Sequence, residues 1–354
     1  MLSILSFRVL HLFVIAKTDT HNVKHMPFND VEVSLKNNIV HVAVGVITQN
    51  DQVLICWRDA SLHQGNRYEF PGGKIEAHES PEQALTRELY EELAIQVQHC
   101  IKAQQLFFNY PEKTVCLHIF KVTEFAGEPV GQQQQAVLWV HQNDLINYHF
   151  PDANAPILRM LKLPEQYVIT QPLANQQSIQ HIEQWLDWHI QHTAPCSWLY
   201  VREKTMSGQI YSQVINDLKA QRSDLHLVAE FRHIERLTSQ YHQLSGVHLS
   251  QTDLMQQVQT INIAEDLLVF AACHDQAAIA KANQLTVDAV LISPLHLTLS
   301  HPEQAALGWQ VWQQLAQQSH VPVFALGGVA PADLKQVQRA GGFGVAGIRA
   351  FLAH

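Results

Sequence analysis

From Tyr167 onward the chain alternates short apolar runs with amphipathic stretches, and this alternation restricts the fold more than any other feature. Strands are expected at Trp198–Val201, Leu225–Ala229, Gly246–Leu249, Leu267–Ala272, Ala289–Ile292, Val321–Ala325 and Gly344–Ile348. Helices fit between them, as at Ser207–Gln221, Asp275–Leu285, Leu307–Gln318 and Pro331–Ala340. Strand–helix units in series imply a parallel sheet. Seven or eight of them in under two hundred residues predict a compact (β/α)8 TIM barrel.

Before Lys162 the rhythm differs. Strand-like runs start at Ile39 and Gln52, joined by a Gln49-Asn50-Asp51 turn, and recur at Gln105–Phe108, Val115–Val122 and Val137–Val140. A Gly72-Gly73 turn precedes one strong helix. Ser80 is its natural N-cap, Pro81 takes the first helical position, and Gln83 completes a capping box. Ala84, Leu85, Leu89 and Leu93 make its buried stripe, and Pro156–Leu163 reads as a closing helix. This half is expected to be an α/β/α sandwich around a mixed sheet. The chain is thus a two-domain α/β and α+β protein, with a first domain over 37–164, a barrel over 165–354, and residues 1–36 as an N-terminal extension. In that extension Leu2–Ile15 is apolar but carries Arg8 and His11, and it is too short to span a bilayer. It lacks a basic start and a small-residue cleavage site, so it reads as loosely docked or disordered, with Met26 as an alternative start.

A formal charge of −9 argues against direct nucleic-acid binding. A metal-chelated phosphate remains an acceptable substrate, because the cation carries the positive charge. The five cysteines show no CxxC spacing, which points to a reducing cytoplasm. The 22 histidines include no HExxH and read as surface or packing residues.

The chemistry lies in GKIEAHESPEQALTRELYEELAI, Gly73 to Ile95. Six glutamates fall between Glu76 and Glu92, with Arg87 the only lysine or arginine among them. Glu88, Glu91 and Glu92 are three and four apart, so one helix face carries all three, opposite the leucine stripe. Such crowding is repulsive unless cations neutralise it, and hard cations with oxygen ligands suit it. Arg87 can pair with Glu91 or Glu79 and orient the set.

The segment resembles the Nudix box, GX5EX7REUXEEXGU, at every defined position but one, where Ala94 replaces the glycine. Residues of about 38 to 163 are similar throughout to the MutT-type 8-oxo-dGTP diphosphatases, through VAVGVI, EFPGGKIE, SPEQALTRELYEEL, GEPVG and FPDANAPIL. The resemblance implies Mg²⁺, with Mn²⁺ able to substitute, held by Gly72, Glu88, Glu91 and Glu92, with Arg87 supporting catalysis. It implies a nucleoside triphosphate substrate contacted by Arg58, His63, Phe70, Lys74 and Asn154. For Asn154 the alternative is a loop or helix-cap residue, and for Phe70 it is core packing. The family's further loop glutamate corresponds to a glutamine here, Gln133, which cannot take a proton. The base is then Glu88 or a neighbour. By resemblance, water attacks a bridging phosphorus and yields the monophosphate and pyrophosphate, the chemistry of nucleotide-pool sanitation.

The barrel half resembles thiamine-phosphate synthase and its TenI-like relatives through LYVREK, SGVHLSQTDL, Ala272-Cys273-His274, SPLHLTLSH, FALGGV and GVAGI. This implies a thiamine-related phosphate ligand at the strand C-termini, near Arg202, Lys204, Asp253, Thr298, Gly327 and Gly328, with the Gly344–Gly347 loop adding backbone N–H groups. The family's chelating Asn-Asp pair reads Ala229-Glu230-Phe231-Arg232, and its lysine after the threonine-rich loop reads His301. These departures point to a degenerate ligand-binding or structural barrel. An active synthase, or a hydrolase acting on a thiamine-pathway pyrophosphate, is the alternative.

Overall fold

The computed structural model describes residues 39–352 apart from 111–112, 133–134, 174–178, 258–260, 262, 286 and 299–304. The 1–36 extension, Gln133 and His301 lie outside the described residues. The chain divides into two compact units, one ending at Leu161 and the other running from Lys162.

The first unit is built on strands β1 (Ile39–Gln49), β2 (Gln52–Arg58), β3 (Arg67–Glu69), β4 (Gly72–Lys74), β5 (Gln96–Tyr110), β6 (Lys113–Ala126) and β7 (Val137–His141). The order is β3-β2-β1-β6-β5, with β4 on β1 and β7 on β2. Only β1 and β6 run parallel, and the other pairs are antiparallel, which makes the sheet mixed as expected. β5 is far longer than its apolar run suggests. It pairs with β6 along almost its whole length, through several register shifts, so partner hydrogen bonds carry residues that alternation alone would not.

Helix α1 (Pro81–Leu93) buries Ala84, Leu85, Leu89 and Leu93 against Ala43, Ile47, Leu54, Phe120 and Val122. Fully burying one such leucine stabilises by about 1.5–3 kcal/mol. Gly45 permits this close approach, since a Cβ there would lie 3.0 Å from Leu89 Cδ1. The capping box forms. Gln83 N–H donates to Ser80 Oγ at 3.2 Å and Ser80 N–H to Gln83 Oε1 at 2.7 Å. At the other end Ala94 takes the left-handed conformation, φ 56 and ψ 26, and its N–H donates to Tyr90 O at 2.9 Å. The helix therefore ends as a glycine-terminated helix would, with alanine carrying the strained torsions.

Two expectations are corrected. Gly72-Gly73 is not a turn but the start of β4, paired with Val44 and Ala43 of β1. Gly72 has φ +143, and a Cβ there would meet Ala43 O at 2.1 Å, so the chain joins the sheet at this point only as glycine. The closing helix, α2, spans Ala155–Met160 and stops short of Leu163. Leu163 precedes Pro164, which disfavours helical torsions there.

The second unit is a closed barrel of eight parallel strands: β8 (Gln166–Ile169), β9 (Trp198–Val201), β10 (His226–Glu230), β11 (Leu244–Leu249), β12 (Leu268–Cys273), β13 (Ala289–Ile292), β14 (Val323–Leu326) and β15 (Gly344–Gly347). Closure runs through β15–β8 and β8–β9. Residues Val168, Leu199, Val201, Leu227, Val247 and Val269 pack outward on the helices. The alternate positions fill the interior with rings. Tyr167 stacks on Phe270 at 4.7 Å and Tyr200 on His248 at 4.2 Å. The interior is thus a packed core and not a channel. Gly344–Gly347, expected as a phosphate loop, is the last strand itself, and Val345 N–H donates to Glu165 O at 2.9 Å. Backbone groups spent on the ladder are not available to a ligand.

Candidate functional site

The glutamates of α1 face β4. Gly73 has no side chain, and a Cβ on it would lie 2.1 Å from the Glu88 carboxyl carbon, so the glycine makes room for that carboxylate. Gly72 N–H donates to Glu92 Oε2 at 3.2 Å. Arg87 ties the cluster together. It reaches Glu79 Oε1 at 2.7 Å, Glu88 Oε1 at 2.9 Å, Glu91 Oε2 at 3.3 Å and the Lys74 carbonyl at 3.0 Å. Arg87 therefore pairs with both Glu79 and Glu91, not one of them. The three carboxylates sit at different depths. Glu91 is 58 % exposed against 17 % for Glu88, and Glu92 is partly buried.

Glu92 is raised to about 7, chiefly by burial and with help from the charges of Glu69 and Glu88, against the Gly72 N–H and the Arg58 charge. A carboxylate so placed lacks enough positive charge around it. Oxygen-only donors, a raised proton affinity and a glycine cradle fit a hard divalent cation. The backbone N–H of Gly72 is directed at Glu92, so any part it takes in metal binding falls to its carbonyl.

The expected base-pocket residues lie on elements joined by contacts. Arg58 donates to Glu69 Oε2 at 2.6 Å and to the His63 carbonyl at 2.9 Å. The His63 ring sits edge-on to Tyr110 at 4.7 Å, and the Tyr110 hydroxyl is hydrogen-bonded to the Ala153 backbone. Phe70 is buried and stacks on Phe150 at 5.4 Å, so it packs in the core and also braces the Phe150–Asn154 segment. Asn154 is 8 % exposed, makes no helix-cap hydrogen bond, and its Oδ1 is buried without a hydrogen-bond partner. Asn154 stands at the N-cap position of α2, yet its side chain does not cap the helix. Lys74 ends β4 with its side chain exposed.

Sequence reasoning missed Glu69 and Tyr110. Glu69 is largely buried and its pKa is raised by desolvation against the Arg58 charge. It links the Arg58 side of the pocket to Glu92 electrostatically. Its signal was the paired charges of Arg58 and Glu69 on neighbouring strands, legible only with the Arg58↔Arg67 register in hand.

At the barrel mouth Arg202 follows β9 and is half-buried, and Lys204 is exposed with its pKa lowered by Arg202. Asp253 is engaged in a capping box and accepts from Ser250 N at 3.1 Å and Ser250 Oγ at 2.6 Å. Thr298 is partly buried in the segment after β13. Gly327 and Gly328 have φ +98 and +68, and a Cβ on either would collide with Pro294 or His296. Glu230 is buried and bonded to Arg232 at 2.7 Å, while Arg232 also donates to the carbonyls of Glu203 and Lys204. An arginine thus neutralises the acidic group where the family pattern calls for chelating residues.

A family model described as the NUDIX domain matches residues 42–160, and one described as thiamine monophosphate synthase matches residues 166–351. The 8-oxo-dGTP diphosphatase of Escherichia coli is 40 % identical over 35 % of this chain and 96 % of its own length. That of Haemophilus influenzae is 37 % identical over 36 % of this chain and 94 % of its own length. A thiamine-phosphate synthase of Synechococcus is 33 % identical over 27 % of this chain and 28 % of its own length. Among the described residues, no helix is long and apolar enough to cross a membrane.

Proposed function

We propose, for a chain that belongs to the NUDIX domain family over residues 42–160 and to the thiamine monophosphate synthase family over residues 166–351, that the first unit hydrolyses 8-oxo-dGTP and related oxidised purine nucleoside triphosphates. The first unit is a Nudix hydrolase domain. We take its bounds as 37–164, those of the barrel as 165–354, and its compartment as the cytoplasm. The observation that carries the substrate reading is Asn154, a buried amide with an unpartnered carbonyl oxygen. Such an atom costs about 1–3 kcal/mol of desolvation unless a ligand satisfies it. The N7–H of an oxidised purine is a donor suited to that oxygen, and the amide nitrogen answers the neighbouring acceptor.

Glu88, Glu91, Glu92 and the Gly72 carbonyl would hold Mg²⁺, with Mn²⁺ as a substitute. When bound, the cation supplies positive charge against the phosphate oxygens. Arg87 holds the carboxylates in position through Glu79, Glu88 and Glu91. A glutamate of this cluster takes the proton of the attacking water. The bridging P–O bond breaks, and the monophosphate and pyrophosphate leave. Phe70 and Phe150 back the base, and Arg58, braced by Glu69, lines the entrance beside His63. Lys74 would meet the phosphates from the end of β4.

The test is steady-state turnover with Mg²⁺ of 8-oxo-dGTP, dGTP and thiamine diphosphate, with Glu92→Gln as control. A preference for 8-oxo-dGTP that the variant abolishes supports the reading. Cleavage of thiamine diphosphate with neither purine turned over refutes it.

The barrel is read as a binding module for a thiamine-related phosphate, with Arg202, Lys204, Thr298, Gly327 and Gly328 around the ligand. The Arg232–Glu230 pair argues against synthase chemistry, because it occupies the acidic group with a fixed cation. Thermal shift of the barrel transition by thiamine monophosphate, without product formation, is the expected result.

A further inference from the structure

A second set of metal-type donors stands on the sheet of the first unit and shares no residue with the Glu88, Glu91 and Glu92 cluster. His41 of β1 is in register with Cys116 of β6, and Ala43 with His118. Side chains alternate along a strand, so His41, Ala43 and Gly45 share a face with Cys116, His118 and Phe120. That face carries α1, since Ala43 and Phe120 pack with its leucines. Beyond the end of the leucine stripe, the same rows carry nitrogen and sulfur in place of carbon.

His41 Nδ1 lies 3.0 Å from His118 Nε2, and Cys116 Sγ lies 3.6 Å from the same nitrogen. All three donor atoms fall within 4.8 Å of one another. With Zn–N of about 2.0–2.1 Å and Zn–S of about 2.3 Å, a tetrahedral ion has N···N edges of about 3.3 Å and N···S edges of about 3.6 Å. The N···S edge already matches, and the N···N edge, at 3.0 Å, is slightly shorter than the ideal. The third closes by rotation of the His41 ring, which is exposed. A hydrogen bond joins the two rings, and the sulfur accepts from Gln105 Nε2 at 3.5 Å, so all three donors are held in place on the sheet.

We propose that His41, Cys116 and His118 bind a borderline-soft divalent ion of the Zn²⁺ type, with the fourth position left to water or an outside ligand. The site does not depend on the nucleotide reading, because it shares no residue with the glutamate cluster. The two donor sets sort cations by hardness. Carboxylates and carbonyls take Mg²⁺, while imidazole and thiolate prefer Zn²⁺. Burial, followed by the nearness of His41 and Lys102, holds the His118 ring below the usual imidazole range. Cys116 is a thiol in the metal-free protein, its pKa raised by burial and lowered in part by Gln105 and Lys102. Binding forms the S–Zn bond and releases the thiol proton to solvent. Gln105 Nε2 lies 3.5 Å from Cys116 Sγ and orients the ligand. Lys102 and Glu82 are the charged groups that act on His118 from the neighbouring strand and from α1. A bound ion would pin β1 to β6 at the edge of the α1 contact.

The experiment uses the full chain, stripped by chelator and kept in excess Mg²⁺ so that the glutamates stay filled. Zn²⁺ is titrated against a chromophoric competitor, and Co²⁺ is added separately to look for thiolate-to-metal charge-transfer absorption. We expect one tight Zn²⁺ site per chain and a thiolate band with Co²⁺. His41→Asn, at an exposed position, should weaken Zn²⁺ by at least roughly tenfold, since loss even of an outer partner of a ligand has that effect. Cys116→Ser should abolish the Co²⁺ band, with circular dichroism checking its fold. Absence of the band in the unaltered chain, or a Zn²⁺ affinity indifferent to His41→Asn, would overturn the proposal and assign any binding to other histidines.

Discussion

Ala94→Gly isolates a single backbone term. Ala94 holds φ 56 and ψ 26 at the end of α1, exposed to solvent, with its N–H bonded to Tyr90 O. The left-handed conformation costs an L-residue about 1–2 kcal/mol. Glycine avoids that cost but loses about 0.5–1 kcal/mol more backbone entropy on folding than alanine does. At the middle of both ranges the net gain is about 0.7 kcal/mol, because the lost methyl is exposed and little packing goes with it. For a unit of this size, about 1 kcal/mol moves the midpoint by roughly 3–5 °C. Differential scanning calorimetry of the full chain gives the readout, since two compact units can melt as separate transitions. The transition of the Nudix unit should rise, the barrel transition should stay fixed, and kcat should change little because Glu91 and Glu92 keep their helical positions. An unchanged or lowered midpoint would mean that Ala94 is not strained, or that the last turn of α1 unravels in solution, and the argument would fail.

Three further outcomes are expected. Arg87→Ala leaves Glu79, Glu88 and Glu91 without their shared cation; the Mg²⁺ concentration for half-maximal turnover should rise about 10- to 100-fold, and an unshifted metal curve would refute the orienting role. Asn154→Ala removes the buried amide; discrimination between 8-oxo-dGTP and dGTP should fall by about ten- to a hundredfold, as one lost hydrogen bond of 1–3 kcal/mol requires, and retained discrimination would place base recognition elsewhere. Burial lowers His189 to about 4 and His248 to about 3; because both folded values lie below the usual 6.5, the stability they contribute is present above that pH and is lost as pH falls from 6.5 toward the folded value of each, by up to about 3 kcal/mol for His189 and about 5 kcal/mol for His248. The barrel transition should therefore drop steeply between pH 7 and pH 5 in calorimetry, and a flat profile would show that these rings are hydrated.

What was legible in the sequence was what depends on period and on residue chemistry. Seven of the eight barrel strands and the α1 helix follow from apolar spacing and capping, which act locally, and they lie within a residue or two of where the spacing puts them, while β8 is not among the strands set out from the sequence. Glu88, Glu91 and Glu92 follow from their spacing in the same way. What depended on register was not legible. Gly72-Gly73 reads as a turn because two glycines break local order, yet β1 captures them as a strand, and only then does Glu88 find the space above Gly73. Glu69 is an unremarked residue until β3 lies against β2 and sets it beside Arg58. His41 and His118 are 77 residues apart, and among 22 histidines nothing marks them until the parallel β1–β6 pairing brings their rings to 3.0 Å. Ligand sets contributed by one helix can be read in advance from its period, whereas sets contributed by two strands require the pairing first. The departure at Glu230 and Arg232 combines the two cases. Sequence showed that the chelating pair was missing, and only the fold showed that Arg232 closes the gap, with its guanidinium on Glu230 and on two carbonyls. A position that had merely lost its metal would leave a buried carboxylate in search of a cation. Here the cation is covalently part of the chain, and our proposal of a binding module for the barrel rests on that, while the first unit is the Nudix hydrolase.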